Sequence, residues 1–573
     1  MISLNKLSFF DQICVKKLTI LHVSLSVSCH ICNFASNSIT AYYVTDVRLR
    51  QFVIVGCPVE LINNTNTTAN TMKKTLTFLL FLSALMLQAQ TARKFTINLT
   101  DDGKANVEAF LPASPSGRAI VGVPGGGYSV LSNGHEGRDW HEWLNQRGIA
   151  FFMVNYRLPA GDKSLPIGDV EHAIRMVRDS ASVWNVNPRD VGIMGFSAGG
   201  HLSSVISTMS DYDVRPNFTI LFYPVISMEQ KVSHKYSCLN FLGEDGAKDP
   251  AMVKKYSTQN AVRRHLTPPA IIISASDDRL VPLVTNGVAY YSAMRNAGNE
   301  CAMHVYPTGD HGFGIGPWFK YHEQMLSDLG NWLDNHKAPR QDAVKVACIG
   351  NSITDGHGID MASAYAYPAM LQQMLGDGYW VKNFGRSGRT MLDKGDQPYM
   401  NEMAWKDAQA FKPDVVIIKL GTNDSKPQNW QHGSEFKHDL QKMIAALRPD
   451  LAQMQTGKKG KKPSVGKKHS KGGKATKGKK GEEEAKPLIF LCTPIKAVKD
   501  SWRINDSVIV NGVIPVQTEV AREYGLEVID LHTLFDASSD NMLSDGIHPN
   551  GNGAKRMAEI IYEALTARMG EKK

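Results

Sequence analysis

Short apolar runs rich in β-branched residues alternate with amphipathic helical stretches along this sequence, and the alternation is completed twice. In the first cycle the strand-like runs fall at residues 119–123, 150–155, 191–194, 219–223, 269–274 and 302–306, with helical patterns at 170–183, 283–296 and 319–336. Such alternation demands βαβ units, hence a mainly parallel sheet with helices on both faces. Past Ala338-Pro339-Arg340 the pattern restarts, with strand-like runs at 343–349, 380–383, 414–419, 487–491 and 526–530 and a closing helix at 553–569. The expectation is an α/β chain of two domains, 94–337 and a smaller 343–570, joined by a linker at 338–342. A length of 573 residues fits two cores, because single cores stop growing well short of it.

Charge is distributed in a way that narrows function. The formal net charge is +9, and residues 457–486 hold twelve lysines against three glutamates, so one segment accounts for the whole excess. This Lys/Gly/Ser tract is too polar to bury a core, and no aromatic residue lies between its lysines to stack on bases. It separates the helical stretch 436–447 from the strand-like run at 487, where a long surface loop is tolerated because closure entropy grows slowly with length. Nucleic acid is therefore not expected as a partner.

Upstream of both cycles, Met72-Lys73-Lys74 precedes an apolar run at 76–87 and then Gln88-Ala89-Gln90-Thr91-Ala92. A positive start, an apolar stretch and small residues have the order of a secretory signal, so 72–92 reads as a signal peptide and the protein as secreted or periplasmic. Residues 1–71 then read as a start-site artefact or leader. The apolar run is too short for a stable membrane span. Of the eight cysteines, Cys14, Cys29, Cys32 and Cys57 lie in that upstream stretch. The others, Cys238, Cys301, Cys348 and Cys492, show no CxxC spacing and read as packed thiols, with a Cys238–Cys301 disulfide as the alternative. No metal-ligand spacing and no cofactor motif is visible in the sequence.

Gly195-Phe196-Ser197-Ala198-Gly199 follows a strand-like run and opens a helical one. A sharp strand-to-helix turn lifts a serine oxygen clear of the sheet, and flanking glycines let neighbouring backbone pass. Upstream, Pro124-Gly125-Gly126-Gly127 ends another strand and offers backbone N–H groups for an oxyanion. Downstream, Ser276-Asp277-Asp278 and Gly309-Asp310-His311-Gly312 follow later strands and offer an acid and a base, in the order Ser, Asp, His. With Tyr156-Arg157-Leu158, these blocks resemble the acetyl-xylan-esterase and feruloyl-esterase-like branch of the α/β-hydrolases over about residues 95–337. The resemblance implies Ser197 as nucleophile, His311 as base and Asp278 as orienting acid. Asp278 is preferred to Asp277 because the family's acid stands four residues before a proline, here Pro282. It further implies Gly126, Gly127 and Ala198 as oxyanion donors. Pro124 departs from the histidine that many relatives carry before the glycines.

In the second cycle Gly350-Asn351-Ser352-Ile353-Thr354-Asp355-Gly356, Asn383-Phe384-Gly385-Arg386-Ser387-Gly388, Gly421-Thr422-Asn423-Asp424 and Ser544-Asp545-Gly546-Ile547-His548-Pro549 come in that order. Three of the blocks stand at strand ends and the last in the final loop. Together they resemble the SGNH (GDSL-like) hydrolases over about residues 343–570, which implies a smaller, flavodoxin-like sheet. The resemblance implies Ser352 as nucleophile, His548 as base, Asp545 as its acid, and Gly388 and Asn423 as oxyanion donors. Asn351 stands where the family usually has an aspartate that is not the catalytic acid.

Both resemblances include esterases acting on acetylated sugars. The leading expectation is a serine carbohydrate esterase that removes O-acetyl groups from polysaccharides or oligosaccharides such as xylan. A lipid or feruloyl esterase is the alternative; an α/β-hydrolase peptidase and a polysaccharide-binding protein with dead sites rank lower. The lysine tract lies outside every catalytic block. Replacing residues 458–480 by a short Gly/Ser linker is accordingly expected to leave acetate release from a soluble acetyl ester within about twofold of the parent.

Overall fold

The computed structural model describes residues 92–451 and 486–570, and in a separate unit the strands β1 (Cys29–His30), β2 (Ile39–Val44) and β3 (Val53–Pro58), which pair antiparallel in that order. The signal-like stretch up to residue 91 and the lysine tract from 452 to 485 lie outside the described residues.

The first sheet has eight strands: β4 (Arg93–Asn98), β5 (Asn106–Leu111), β6 (Ala119–Val123), β7 (Ala150–Asn155), β8 (Val191–Phe196), β9 (Thr219–Phe222), β10 (Ala270–Ala275) and β11 (Cys301–Tyr306). Their order is β11-β10-β9-β8-β6-β7-β5-β4, parallel from β11 to β7. β5 runs antiparallel to both β7 and β4. The interior strands read as unbroken apolar runs because helices cover both faces; Val121, Val123 and Ile193 pack into one cluster, Ile120, Met194 and Phe196 into the other. The β4–β5 hairpin has no counterpart among the strand-like runs, since its residues are partly exposed and interspersed with charge.

Helix bounds differ from the sequence reading in ways the packing explains. Helix α1 (Ser164–Asp179) buries Val170, Ala173, Ile174 and Val177, a stripe at helical spacing, but starts before residue 170 and ends at Asp179, with a separate short helix at Ala181–Trp184. The stretch read as a helix from 283 opens instead with a π-turn, Val284–Val288, before Ala289–Asn296. The extra residue turns Asn286 inward, where its Oδ1 accepts the Ile226 and Ser227 N–H groups at 2.9 and 3.1 Å. The helix read at 319–336 spans His322–Asn335.

The second sheet is wholly parallel, with order β13-β12-β14-β15-β16. Its strands are β12 (Val344–Gly350), β13 (Tyr379–Gly385), β14 (Val415–Lys419), β15 (Leu488–Cys492) and β16 (Glu527–Ile529). The lysine tract enters after helix Phe436–Leu447 and leaves at β15, and its two ends are drawn together. Arg448 donates to Pro487 O at 3.1 Å and pairs with Asp450, which Lys486 also approaches at 3.3 Å. Cys238, Cys301, Cys348 and Cys492 are all free thiols, so the alternative of a Cys238–Cys301 disulfide is set aside. Among the described residues no helix is long and apolar enough to cross a membrane.

The two domains share a packed seam. Tyr212 and Leu266 of the first lie against the second domain's core, Tyr212 edge-on to Phe411. At the seam's centre Arg215 meets Asp407 at 2.6 Å, the two side chains 5% and 4% exposed. A buried ion pair is costly to halve but cheap to replace whole. Asp407→Ala should therefore cost about 3–5 kcal/mol of unfolding free energy. The double Arg215→Met, Asp407→Leu should recover most of it. Chemical denaturation of the full chain reads both.

Candidate active sites

β8 ends at Phe196, and helix α2 (Ser197–Met209) begins at the next residue. The turn puts Ser197 at φ +51°, a left-handed conformation that bulky residues rarely adopt and that costs roughly 1–3 kcal/mol. Gly195 and Gly199 make it possible: a Cβ on Gly195 would strike Ser203, and one on Gly199 would strike the Val123 and Pro124 carbonyls. Ser197 is thus held buried at a fixed angle. His311 Nε2 lies 2.7 Å from Ser197 Oγ, and His311 Nδ1 lies 2.7 Å from Asp278 Oδ2. Asp278 Oδ1 accepts the Leu280 and Val281 N–H groups at 2.9 Å each, so the carboxylate is fixed before it meets the imidazole. Asp277 does other work. Its Oδ1 accepts the N–H groups of Gly309 and Asp310 at 2.8 Å and ties the base loop to the acid loop.

Around this relay, Ala198 sits in the first turn of α2, where its N–H has no carbonyl earlier in the helix to bond. Gly126 and Gly127 occupy positive φ, +117° and +65°, and the neighbouring Gly125 abuts Ser197 and Glu136. Tyr156 donates to Pro124 O at 3.0 Å, and Arg157 grips the buried Asp169, which gives the Tyr156-Arg157-Leu158 segment a structural role beneath the loop. Sequence reasoning missed Tyr223 and Glu136. The Tyr223 ring packs 4.7 Å from His311, while its hydroxyl donates to Glu136 at 2.8 Å and accepts Gly314 N–H at 2.9 Å. Neither lies in a motif. His201, on α2, belongs to the scaffold: burial pushes it down to about 4, and it bonds Tyr128 and the Tyr256 carbonyl.

The second site has the same logic on fewer residues. Helix α3 (Ser352–Asp355) follows β12, with Asn351 Oδ1 capping it through the Ile353 N–H at 3.3 Å. His548 Nε2 lies 2.8 Å from Ser352 Oγ, and its Nδ1 lies 2.7 Å from Asp545 Oδ2. Asp545 Oδ1 accepts the N–H groups of Ile547 and His548 at 2.9 and 3.0 Å. Burial raises Asp545, but those N–H groups and the imidazole outweigh it and hold the carboxyl down to about 2. Gly388 takes φ +81° in the loop after β13. One amide hydrogen of Asn423 goes to Arg389 O at 3.1 Å, which fixes the side chain in the adjoining loop.

Burial pushes His548 below the usual histidine value; Asp545 opposes this, while His357 and Lys419 add to it. The His357 ring stands 4.4 Å from His548, and Lys419 is fully buried at the end of β14, its ammonium driven by burial down to about 7. Neither residue drew notice in the sequence. His357, Asp545 and His548 are also a group among the described residues able to converge on a metal ion, with ligand atoms within 4.8 Å of one another. The sequence showed no such cluster because His357 lies nearly two hundred residues before Asp545 and His548. Two of the three are engaged in the Ser352 relay.

Comparison with known proteins gives two matches along the chain: the alpha/beta hydrolase fold family over residues 120–315 and the GDSL-like lipase/acylhydrolase family over residues 348–556. A Xylanibacter ruminicola protein named acetylxylan esterase is 68% identical over 486 residues, 85% of this chain and 98% of that one. Endo-1,4-beta-xylanase B of Butyrivibrio fibrisolvens is 29% identical over 249 residues, 39% of this chain and 38% of its own. The crystal structure of an acetyl ester-xyloside bifunctional hydrolase from Caldicellulosiruptor lactoaceticus is 30% identical, with a TM-score of 0.39 over 42% of this chain and 96% of that one.

A base must be neutral to accept a proton, so a lowered histidine keeps its site working at lower pH. In the full chain carrying Ser197→Ala, the acid limb of second-site kcat/KM should have its midpoint below about 6.5, the ordinary histidine value. His357→Gln removes a neighbouring imidazole whose charged form disfavours the His548 imidazolium, and should move that midpoint up. A pH profile of acetyl-ester hydrolysis measures both.

Proposed function

This chain belongs to the esterase family that joins an α/β-hydrolase domain to a GDSL-like acylhydrolase domain, and from that premise we propose that it removes O-acetyl groups from acetylated polysaccharide such as xylan, at two separate serine sites. The observation that carries this reading is a pair of preassembled Ser–His–Asp relays in one chain, each with both hydrogen bonds at 2.7–2.8 Å. The substrate reading is supported by the Xylanibacter ruminicola relative, which is named acetylxylan esterase. A polymer of this size stays outside the cell, so the same reading has the protein exported, in keeping with the signal-like stretch at 72–92.

At each site the serine oxygen attacks the acetyl carbon as the histidine takes the hydroxyl proton. The carbonyl oxygen becomes negative and is held by N–H donors: Gly126, Gly127 and Ala198 in the first site, Ser352, Gly388 and the Asn423 amide in the second. The carbon–oxygen bond to the sugar breaks, and the histidine returns its proton to the departing sugar hydroxyl. Water then repeats the sequence on the acetyl-serine, releasing acetate and restoring the hydroxyl. The aspartate keeps the proton on Nδ1, so that Nε2 faces the serine as an acceptor.

Each site has its own nucleophile, base and acid, so Ser197→Ala is expected to abolish only first-site turnover and Ser352→Ala only second-site turnover. Acetate release from acetylated xylan and from a soluble acetyl ester, by the two single variants and the double, reads this directly. Loss of all turnover in either single variant would mean one composite site. On the Ser197→Ala background, Asn423→Ala should lower kcat by about 10²–10³ with KM little changed, because the donor matters once charge has developed.

A further inference from the structure

Asp355 ends the nucleophile helix of the second domain, yet its partners come from both domains. On the inner side its Oδ2 accepts the Ser387 N–H at 3.1 Å and also the Ser387 hydroxyl, one residue before Gly388. On the outer side stand Arg264 and His265 of the first domain. Arg264 donates from Nε to Asp355 O at 3.0 Å and from its terminal nitrogen to Gly356 O at 2.7 Å. His265 Nε2 lies 2.8 Å from the same Asp355 carbonyl. Both also face the Asp355 carboxylate, at 3.0 and 3.2 Å from Oδ1.

The contact is built, not incidental. Asp355 and His265 side chains are nearly buried, 7% and 5% exposed. His265 sits at φ +62°, a conformation histidine seldom takes. The buried Asn299 holds it there, accepting the His265 N–H and donating to Arg263 O, both at 2.9 Å. Burial raises Asp355, but His265, Ser387 and Arg264 more than offset it and keep the carboxyl below its usual range. Within the second domain, the Arg386 N–H also meets Gly350 O at 2.9 Å, Asn383 donates to Thr354 O at 2.7 Å, and Arg389 donates to Ser387 O at 2.7 Å. Of the ties that run back to the nucleophile block, the Asp355–Ser387 contact stands nearest Gly388.

We propose that Arg264 and His265 of the first domain are positioning residues for the second active site, clamping Asp355 so that Ser387 sets the Gly388 N–H toward the oxyanion of a second-site substrate. The inference rests on the reading of Ser352 as nucleophile and Gly388 as donor. It makes the two domains chemically separate but geometrically dependent in one direction: the first supplies part of the frame of the second. Misplacing a donor by about an ångström costs up to a hundredfold in rate. Since the oxyanion forms only after binding, the loss belongs in kcat.

The test uses the full chain with Ser197→Ala, so that only the second site turns over. Ser352→Ala on that background comes first; turnover that survives it refutes the nucleophile reading itself, separately from the clamp. Arg264→Ala and His265→Leu are each expected to lower kcat by about ten- to a hundredfold with KM within about twofold. Arg264→Lys keeps the charge but loses the two-pronged grip, and should show a smaller loss. First-site turnover, read on a Ser352→Ala background, should stay within about twofold in all three, which reports an intact fold. The double Arg215→Met, Asp407→Leu alters the seam away from Asp355 and should leave second-site kcat unchanged. Second-site kcat within about twofold of the parent in both His265→Leu and Arg264→Ala overturns the clamp, and so does an equal loss in the seam double variant.

Discussion

A serine hydroxyl reacts only when a neutral imidazole lies within hydrogen-bond reach of it, and each domain is arranged to hold that one contact. The serine comes from the end of a central parallel strand, β8 in one domain and β12 in the other, while base and acid come from loops far later in the chain. Parallel pairing is what makes this possible. All strand ends of one sense open on one edge of the sheet, so residues distant in sequence meet there without a long path through the core. In the second sheet β12 lies between β13 and β14, the point where successive crossovers diverge, which leaves a crevice above it. The apolar layers on both faces then serve the site by keeping the strand ends still.

Strain and seam are two expressions of the same demand for fixed geometry. Ser197 is kept in a disfavoured backbone conformation by close packing at Gly195 and Gly199, and His265 in another by the Asn299 side chain. The first serves its own domain, the second its neighbour. At the seam of the two domains lies the buried Arg215–Asp407 pair, with Tyr212 and Leu266 packed against the adjoining core. Two domains that carry complete relays do not thereby fold or work as strangers.

The sequence made legible what depends on neighbouring residues. Strand runs at 119–123 and 150–155 coincide with β6 and β7, because a strand buried on both faces is written in apolar residues alone. The four blocks of the second domain stand out because loops at strand ends need particular small and polar residues at fixed spacing. Less legible was whatever depends on tertiary approach. The choice between Asp277 and Asp278 leaned on a family pattern, whereas the fold gives each a separate hydrogen-bond set. Tyr223, Glu136, His357 and Lys419 sit in ordinary strand or loop contexts and gain meaning from what folds onto them. The π-turn at Val284–Val288 likewise answers to a backbone sixty residues away.

The paired ends of the lysine tract carry a different kind of consequence. Arg448, Asp450, Lys486 and Pro487 close a small ring of contacts at the tract's base, so the flanking helix and β15 meet the same boundary whatever lies beyond it. The second domain thus offers a place where the chain could be shortened or reopened with new termini while the flanking helix and strand stay tied to each other.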